Sequence, residues 1–252
     1  MNLMLLKQAD GRLWEIDFLR GIAIILMIIF HFIYDLNHYS LIQYKLWTGP
    51  FAIVSSITAS IFVLLVGISL TISFQKKKNI IPLNSIRTTF VIRGLKLFGL
   101  GLIITFASWI IIPERFVIFG ILHCIGICII LSIPFLSSIR MNFLFGSLLV
   151  ITGLYLRLLT FDFSFLIPFG FLPSNYFTID YFPLLPWFGV VLLGIALGNY
   201  FYPQGKRKFN VEDKSSIGIP QKICFIGRHS LPIYFIHQPI LIGFIFIILM
   251  VR

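Results

Sequence analysis

Five ionisable side chains follow one side of the first apolar segment of this chain, namely Asp17, Arg20, His31, Asp35 and His38. On an α-helix, a separation of eleven steps places Arg20 and His31 about 20° apart around the axis and about 16 Å apart along it. The two aspartates fall within about 60° of Arg20, and His38 continues the same side. Ionisable groups are costly inside a bilayer, so a set of them on one side of an apolar helix indicates a functional site.

His31 lies near the middle of this segment, where an imidazole can act as a general base or as a nucleophile. Asp35, four residues later, can accept a hydrogen bond from one ring nitrogen and leave the other nitrogen basic toward a substrate. The alternative is that the two side chains satisfy each other or tie the helix to a neighbour. Several polar groups on one side favour the first interpretation, so we predict His31 and Asp35 as catalytic residues.

The elements that position these side chains are indicated by the composition of the chain, which is that of a membrane protein. Of the 252 residues, 58% are hydrophobic and 12% charged, against about 45–50% and about 25% in soluble domains. The apolar residues form blocks of about 20 without a charge, the length of a helix that crosses a bilayer. The sequence therefore predicts an all-α, polytopic transmembrane helix bundle and excludes a soluble globular protein.

Seven spans are predicted, with eight as the alternative count: Phe18 to Leu36, Phe51 to Phe74, Thr89 to Ile112, Phe116 to Leu136, Met141 to Leu159, Pro183 to Tyr202 and His229 to Val251. The stretch from Phe161 to Leu172 is rich in phenylalanine but too short to span. We predict it to be re-entrant or interfacial. The whole chain, residues 1–252, is predicted to form a single integral-membrane domain.

The net charge of +11, from 20 Lys and Arg against 9 Asp and Glu, is explained by cytoplasmic loops, which carry an excess of basic residues. No nucleic-acid partner is therefore predicted. A cytoplasmic N-terminus puts most basic residues on the cytoplasmic side, and the exceptions are Lys45, Arg115, Arg157 and Arg252. We predict a multi-pass protein of the plasma membrane with that orientation.

The N-terminal sequence MNLMLLKQADGR lacks the long apolar core of a signal peptide, so we predict a retained first helix. The three cysteines, Cys124, Cys128 and Cys224, have no metal-ligand spacing and make an odd set. We interpret them as small packing residues and predict no metal site.

Three further polar residues are predicted to bind substrate. His123 lies near the outer end of the fourth span, His237 lies about 12 Å into the seventh, and Asp180 lies just outside the sixth. For each histidine, the alternative is a side chain that forms hydrogen bonds between helices. For Asp180, the alternative is a residue at the start of a helix.

Four basic residues lie near the cytoplasmic ends of helices, namely Arg20, Arg87, Arg93 and Lys96. Basic side chains in this position are suited to a phosphate-bearing ligand. Arg20 is the first candidate, because a guanidinium at a helix entrance can hold phosphate through two parallel hydrogen bonds.

The chain resembles a known family in an ordered series of segments: EIDFLRGIAIILMIIFHFIYDL with its Arg20-to-His31 spacing, IFVLLVGISLTIS, FGILHCIGICIIL, DYFPLLPWFGVVLLGIALG and GRHSLPIYFIHQPIL. Together these segments cover most of the sequence and are similar to the prokaryotic branch of the heparan-α-glucosaminide N-acetyltransferase catalytic-domain family. The resemblance implies transfer of an acetyl group from cytoplasmic coenzyme A to a sugar or cell-envelope acceptor. With that donor, the four basic residues Arg20, Arg87, Arg93 and Lys96 are predicted to bind its phosphates. The resemblance also implies that His31 matches the family's histidine near the end of the first helix. The chain is short and lacks the large luminal domain of the animal enzyme, which leaves the acceptor open.

The alternative function is a small proton-coupled transporter without transferase activity, in which Asp35, His31 and His123 relay protons. No pair of interrupted half-helices in corresponding positions supports an inverted-repeat transporter. Small residues such as Gly67, Gly99, Gly101, Gly194 and Gly198 allow close helix contacts within or between subunits, so a homo-oligomer is an open alternative.

Overall fold

The computed structural model describes residues 13–46, 48–174 and 176–251. Across these residues the chain forms eight α-helices: α1 Trp14–His38, α2 Pro50–Lys77, α3 Leu83–Ile111, α4 Ile121–Leu131, α5 Ile139–Leu156, α6 Leu184–Phe201, α7 Gly218–Arg228 and α8 Ser230–Val251. The all-helical, polytopic class predicted from the composition is confirmed. Residues 1–12, whose sequence is the basis for predicting a retained first helix, and the basic residue at position 252 lie outside the described residues.

Six of these helices are long and apolar enough to cross a membrane, namely α1, α2, α3, α5, α6 and α8. Each of them overlaps one predicted span. The fourth predicted span, Phe116 to Leu136, forms only the 11-residue apolar helix α4 and a 3₁₀ turn at Ile133–Phe135. Within the described residues, six helices of spanning length replace the predicted seven. The cytoplasmic position of the N-terminus stays a prediction.

The described residues fall into two compact units. One unit is drawn from Met1–Phe62 and Val211–Arg252, and the other is Val63–Asn210. The first unit contains α1, the start of α2, α7 and α8. The second contains the rest of α2 and the helices α3 to α6.

In the first unit, α1 packs against α7 and α8. Its contact with α7 is close because glycines lie at the crossing. A Cβ on Gly21 would overlap the backbone oxygen of Ile223, and a Cβ on Gly227 would overlap that of Asp17. Backbones approach this closely only where side chains are small. The crossing therefore fixes α7 beside the first turns of α1.

Paired glycines also join the helices of the second unit. A Cβ on Gly94 of α3 would lie 2.6 Å from the backbone oxygen of Gly126 of α4, and a Cβ on Gly126 would lie 2.7 Å from that of Gly94. Gly146 of α5 and Gly189 of α6 form the same arrangement. A Cβ on Gly146 would lie 2.9 Å from the backbone oxygen of Gly189, and a Cβ on Gly189 would lie 2.6 Å from that of Gly146. The two helix pairs α3/α4 and α5/α6 are thus held at short range, which is how small residues stabilise helix packing in lipid.

The phenylalanine-rich stretch forms a closed loop rather than a helix. The amide of Phe161 donates to the carbonyl of Leu172 over 3.0 Å, and a 3₁₀ turn at Ile167–Phe169 lies between them. The rings of Phe161 and Phe171 contact each other with centroids 4.9 Å apart. The prediction of a segment too short to span is consistent with this loop.

Helix α7 is an element that the hydropathy analysis did not predict, because its apolar residues are interspersed with polar ones. Cys224 and Gly227 are buried on one side, while Gln221, Lys222 and Phe225 are exposed. An apolar stripe with a three-residue spacing indicates an amphipathic helix. All three cysteines of the chain are buried and free, as expected for packing residues.

Candidate functional site

The candidate site of the first unit is a pair of histidines that joins α1 to α8. Nδ1 of His31 lies 3.1 Å from Nε2 of His237, and the ring centroids are 5.0 Å apart. On the other side of its ring, His237 places Nδ1 2.7 Å from the backbone oxygen of Tyr234, one turn earlier in the same helix. His237 is 8% exposed, and His31 is partly buried.

This chain of contacts assigns the ring protons of a neutral pair. A carbonyl oxygen only accepts hydrogen bonds, so Nδ1 of His237 is the donor to Tyr234. Nε2 of His237 is then the unprotonated nitrogen and accepts from Nδ1–H of His31. It follows that Nε2 of His31 carries the free lone pair. Such an arrangement orients an imidazole whose outer nitrogen is the basic one, as the third member of a triad does for a catalytic histidine.

Asp35 does not form the predicted hydrogen bond with His31. Its two carboxylate oxygens accept from Nε2 of Gln238 over 2.8 and 2.9 Å, and Asp35 is only 4% exposed. A carboxylate is an acceptor only, and a buried one requires donors. The neighbouring helix supplies this donor through Gln238 and supplies the partner of His31 through the preceding residue. The role expected of Asp35 toward His31 is therefore filled by His237.

Gln238 and Tyr234 are residues of this site that the sequence analysis missed. The sequence contains one clue, the consecutive polar residues His237 and Gln238 inside an apolar segment. The analysis considered only the histidine of this pair. His237 and Gln238 contact His31 and Asp35 only because α8 packs against α1. The periodicity of a single segment does not reveal which helices pack together.

Arg20 lies near the start of α1, about 16 Å along the axis from His31. Its guanidinium forms an ion pair with Asp17, with Nη1 and Oδ1 3.3 Å apart. Nearby, the thiol of Cys224 donates to the backbone oxygen of Trp14 over 3.5 Å. The pKa of Cys224 is raised by burial and then by the negative charge of Asp17. This raised pKa makes the thiol a poor nucleophile.

In the second unit, His123 is held at the start of α4 and is 2% exposed. Its Nδ1 accepts the amide N–H of Gly120 over 3.2 Å, and its Nε2 lies 3.4 Å from Oγ1 of Thr105. The Thr105 hydroxyl itself donates to the carbonyl of Val117 over 2.7 Å, so it accepts from His123. Both ring nitrogens therefore have protein partners. The geometry favours the alternative of a histidine bonded between helices over substrate binding.

Asp180 lies beside the same helix start. Its Oδ2 accepts the amide N–H of Ile121 over 3.1 Å, so it satisfies one of the free donors at the N-terminus of α4. Burial raises the pKa of Asp180 to about 6, and the hydrogen bond from Ile121 opposes this rise. The residue thus stands at a helix start, as the alternative interpretation held, but the helix is α4 rather than α6.

The remaining predicted phosphate ligands, Arg87, Arg93 and Lys96, are exposed on α3 of the second unit. Arg87 and Lys96 are nine residues apart, which places them about 180° apart around the helix. The three side chains therefore do not converge into one pocket on α3.

Comparison with known proteins gives one family. A family model described as "Heparan-alpha-glucosaminide N-acetyltransferase, catalytic" matches residues 12–239. Among curated proteins and among solved structures, no match to the chain is found.

Proposed function

The chain belongs to the heparan-α-glucosaminide N-acetyltransferase catalytic family, and on this premise we propose that it transfers an acetyl group from cytoplasmic acetyl-coenzyme A to a sugar or other cell-envelope acceptor. Membership establishes the coarser description, an integral-membrane protein of the acyltransferase kind. The proposal adds the donor, the acceptor class, a location in the plasma membrane and a single domain spanning residues 1–252.

One observation carries the proposal, the chain of contacts from His31 to His237 and on to the carbonyl of Tyr234. It leaves Nε2 of His31 as a basic nitrogen inside a membrane-spanning helix. A purely structural histidine would have both nitrogens bound by protein, as His123 does.

In the proposed reaction, Nε2 of His31 takes the proton of the acceptor as its oxygen or nitrogen attacks the thioester carbonyl. The carbon–sulfur bond breaks, and the coenzyme A thiolate receives that proton. In the covalent variant, Nε2 attacks the thioester carbonyl first, and the carbon–sulfur bond breaks to release the coenzyme A thiolate. The acetyl group then passes from the imidazole to the acceptor, whose proton goes to the thiolate. In both, His31 becomes positively charged, and Nε2 of His237 stabilises that charge by accepting from Nδ1–H.

Arg20 is proposed to hold a phosphate or orient the pantetheine arm of the donor at the cytoplasmic end of α1. A guanidinium suits this role because its parallel N–H groups match phosphate oxygens. Its ion pair with Asp17 positions the side chain before the donor arrives. Arg87, Arg93 and Lys96 supply further positive charge on α3 that attracts an anionic donor.

The test is the release of coenzyme A thiol from acetyl-coenzyme A by purified protein in detergent, with mass analysis for an acetylated side chain. We expect His31→Ala to abolish both release and acetylation while the protein still inserts. The matched control is His229→Ala, since His229 is an exposed histidine whose Nδ1 contacts the carbonyl of Phe225. Equal activity of His31→Ala and the natural protein would refute the proposal.

A proton-coupled carrier predicts a different result. Folded protein would neither bind nor cleave acetyl-coenzyme A, and reconstituted vesicles would show substrate uptake that depends on a proton gradient. That combination would replace the transferase proposal by the alternative function.

A further inference from the structure

An open cleft lies at the C-terminal end of α1, within the first unit. Its volume is about 400 Å³, and its polar lining consists of Tyr34, Asn37, His38, Tyr44, Lys45 and Thr48. A second cleft of about 450 Å³ shares Asn37, Tyr44 and Lys45 with it. Volumes of about 300–1,000 Å³ are typical of sites for small molecules. The pair of clefts is thus large enough for a sugar unit.

The cleft is held by contacts within its own walls. The amide of Tyr44 donates to Oδ1 of Asn37 over 2.7 Å, which fixes the loop after α1 against the helix end. The rings of Tyr34 and His38 are nearly parallel, at 9° with centroids 6.2 Å apart. Tyr44 packs edge-on against Phe51 with centroids 4.8 Å apart. Aromatic faces and amide groups of this kind are what sugar rings and hydroxyls contact.

Two of the lining residues share a side of α1 with the candidate base. Tyr34 and His38 follow His31 by three and seven residues, which puts all three within about 60° around the axis. His38 is about 10 Å further along the helix. Since the N-terminus is predicted to be cytoplasmic, the cleft faces the opposite side of the membrane from the donor.

The positive charge of the cleft favours acceptors that carry a negative charge. Lys45 is exposed, and no Asp or Glu stands among the described residues that line the cleft. Lys45 is also one of the few basic residues on the side that the distribution of Lys and Arg predicts to be extracytoplasmic, so the excess of basic residues in cytoplasmic loops does not account for it. A positive cleft repels a protonated amine and attracts a carboxylate or phosphate.

We infer that this cleft binds the acceptor, and that the acceptor is an anionic saccharide that receives the acetyl group on a hydroxyl. The inference rests on the proposed function. In the reaction, the hydroxyl oxygen bonds to the acetyl carbon, the carbon–sulfur bond of the donor breaks, and the hydroxyl proton passes through Nε2 of His31 to the coenzyme A thiolate. Lys45 contacts the anionic group, and the rings of Tyr34 and Tyr44 contact the sugar.

The experiment compares three acceptors with the same pyranose ring and different charge: glucuronic acid, glucose and glucosamine. Binding to the full chain in detergent is measured by calorimetry without the donor, and transfer is measured separately by thiol release. We expect glucuronic acid to bind best and Lys45→Gln to weaken its binding about fivefold. The binding of glucose is expected to remain unchanged. The matched control is Lys78→Gln, because Lys78 is an exposed lysine outside the cleft.

Tighter binding of glucosamine than of glucuronic acid, or equal effects of Lys45→Gln and Lys78→Gln, would overturn the inference. Failure of all three sugars to bind would overturn it as well. The binding measurement needs no acetyl transfer. Lys45-dependent binding with no thiol release would therefore support acceptor binding in the cleft and refute the proposed reaction. Release that depends on His31 without sugar binding would support the proposed reaction and refute acceptor binding in the cleft.

Discussion

Each of the two units has a histidine that contacts a neighbouring helix, His31 in the first unit and His123 in the second. The two differ in how many of their ring nitrogens contact protein groups. In the second unit, both nitrogens of His123 contact protein groups that belong to the start of α4 and to α3. In the first unit, one nitrogen of His31 is bound by His237, and the other has no hydrogen-bond partner among the residues that the structure describes. A histidine bound through both nitrogens, such as His123, stabilises the packing of helices. A histidine bound through one nitrogen, such as His31, keeps the other nitrogen basic. The difference shows that burial of a histidine in a membrane helix is not by itself evidence of catalysis.

The sharpest test of this comparison is the same substitution at both histidines. We expect His31→Gln to lower kcat by about 1,000-fold, because general-base or nucleophilic catalysis is lost. His123→Gln should lower the melting temperature in detergent and leave kcat of the remaining folded protein nearly unchanged. Thiol-release kinetics and thermal unfolding of both variants measure this. A large loss of kcat in folded His123→Gln would break the distinction.

A second test addresses the positioning role of His237. His237→Leu removes the acceptor for Nδ1–H of His31, and we expect kcat to fall about 100-fold with KM unchanged, because the tautomer is no longer fixed. His237→Gln keeps an acceptor oxygen and should restore part of the activity. The pH profile of kcat should shift in His237→Leu. If the two variants gave the same kcat and the natural pH profile, His237 would have only a packing role.

In both units, the sequence predicts features that are local in the chain and misses partners that are distant in the chain. The stripe on α1 is local, so helical periodicity alone identified Arg20, His31 and Asp35 as one face. The partners of His31 and Asp35 lie on α8, more than 200 residues later. No periodicity along one segment encodes such pairing, and Asp35 was therefore assigned to the wrong neighbour. The capping of α4 by Asp180 was missed for the same reason, since 59 residues separate Asp180 from Ile121.

The long apolar helices follow from composition, because a bilayer requires about 20 apolar residues per span. The exceptions are the short helices. The 11-residue α4 lies within an apolar block that read as a span, and the amphipathic α7 has no apolar block at all. Asp180 caps α4 from another segment, and Gly126 of α4 and Gly227 of α7 contact the backbones of neighbouring helices. These are tertiary features.

A third prediction concerns the space around His123, and two glycines of α3 provide a matched pair. A Cβ on Gly101 would lie 2.9 Å from the His123 ring, whereas a Cβ on Gly99 would have no neighbour within 4 Å. We expect Gly101→Ala to destabilise the protein by about 1–3 kcal/mol through overpacking. Gly99→Ala should be neutral or slightly stabilising, because alanine favours a helix by up to about 1 kcal/mol over glycine. Thermal unfolding in detergent measures both, and equal melting temperatures would contradict the described packing.

The smallest expected effect is on pH dependence in the second unit. Burial raises the pKa of Asp180 to about 6, above the usual value of about 4 in an unfolded chain. Between these values the folded protein binds more protons than the unfolded one, so stability falls as the pH rises from about 4 to about 6. Asp180→Asn should remove this part of the slope. Melting temperatures of both proteins across this range test it, and identical slopes would refute it.

The pairing of α1 with α8 has a consequence for the biogenesis of the protein. His31 and His237 are 206 residues apart, and a ribosome adds about 5–20 residues per second. The first helix therefore enters the membrane about 10 to 40 seconds before its polar partners exist. During that interval its histidine and carboxylate have to be solvated by water, lipid head groups or the insertion machinery. Assembly of the candidate site is thus a late, post-insertional event, and deleting α8 would leave an inserted helix with uncompensated polar groups for membrane quality control to recognise.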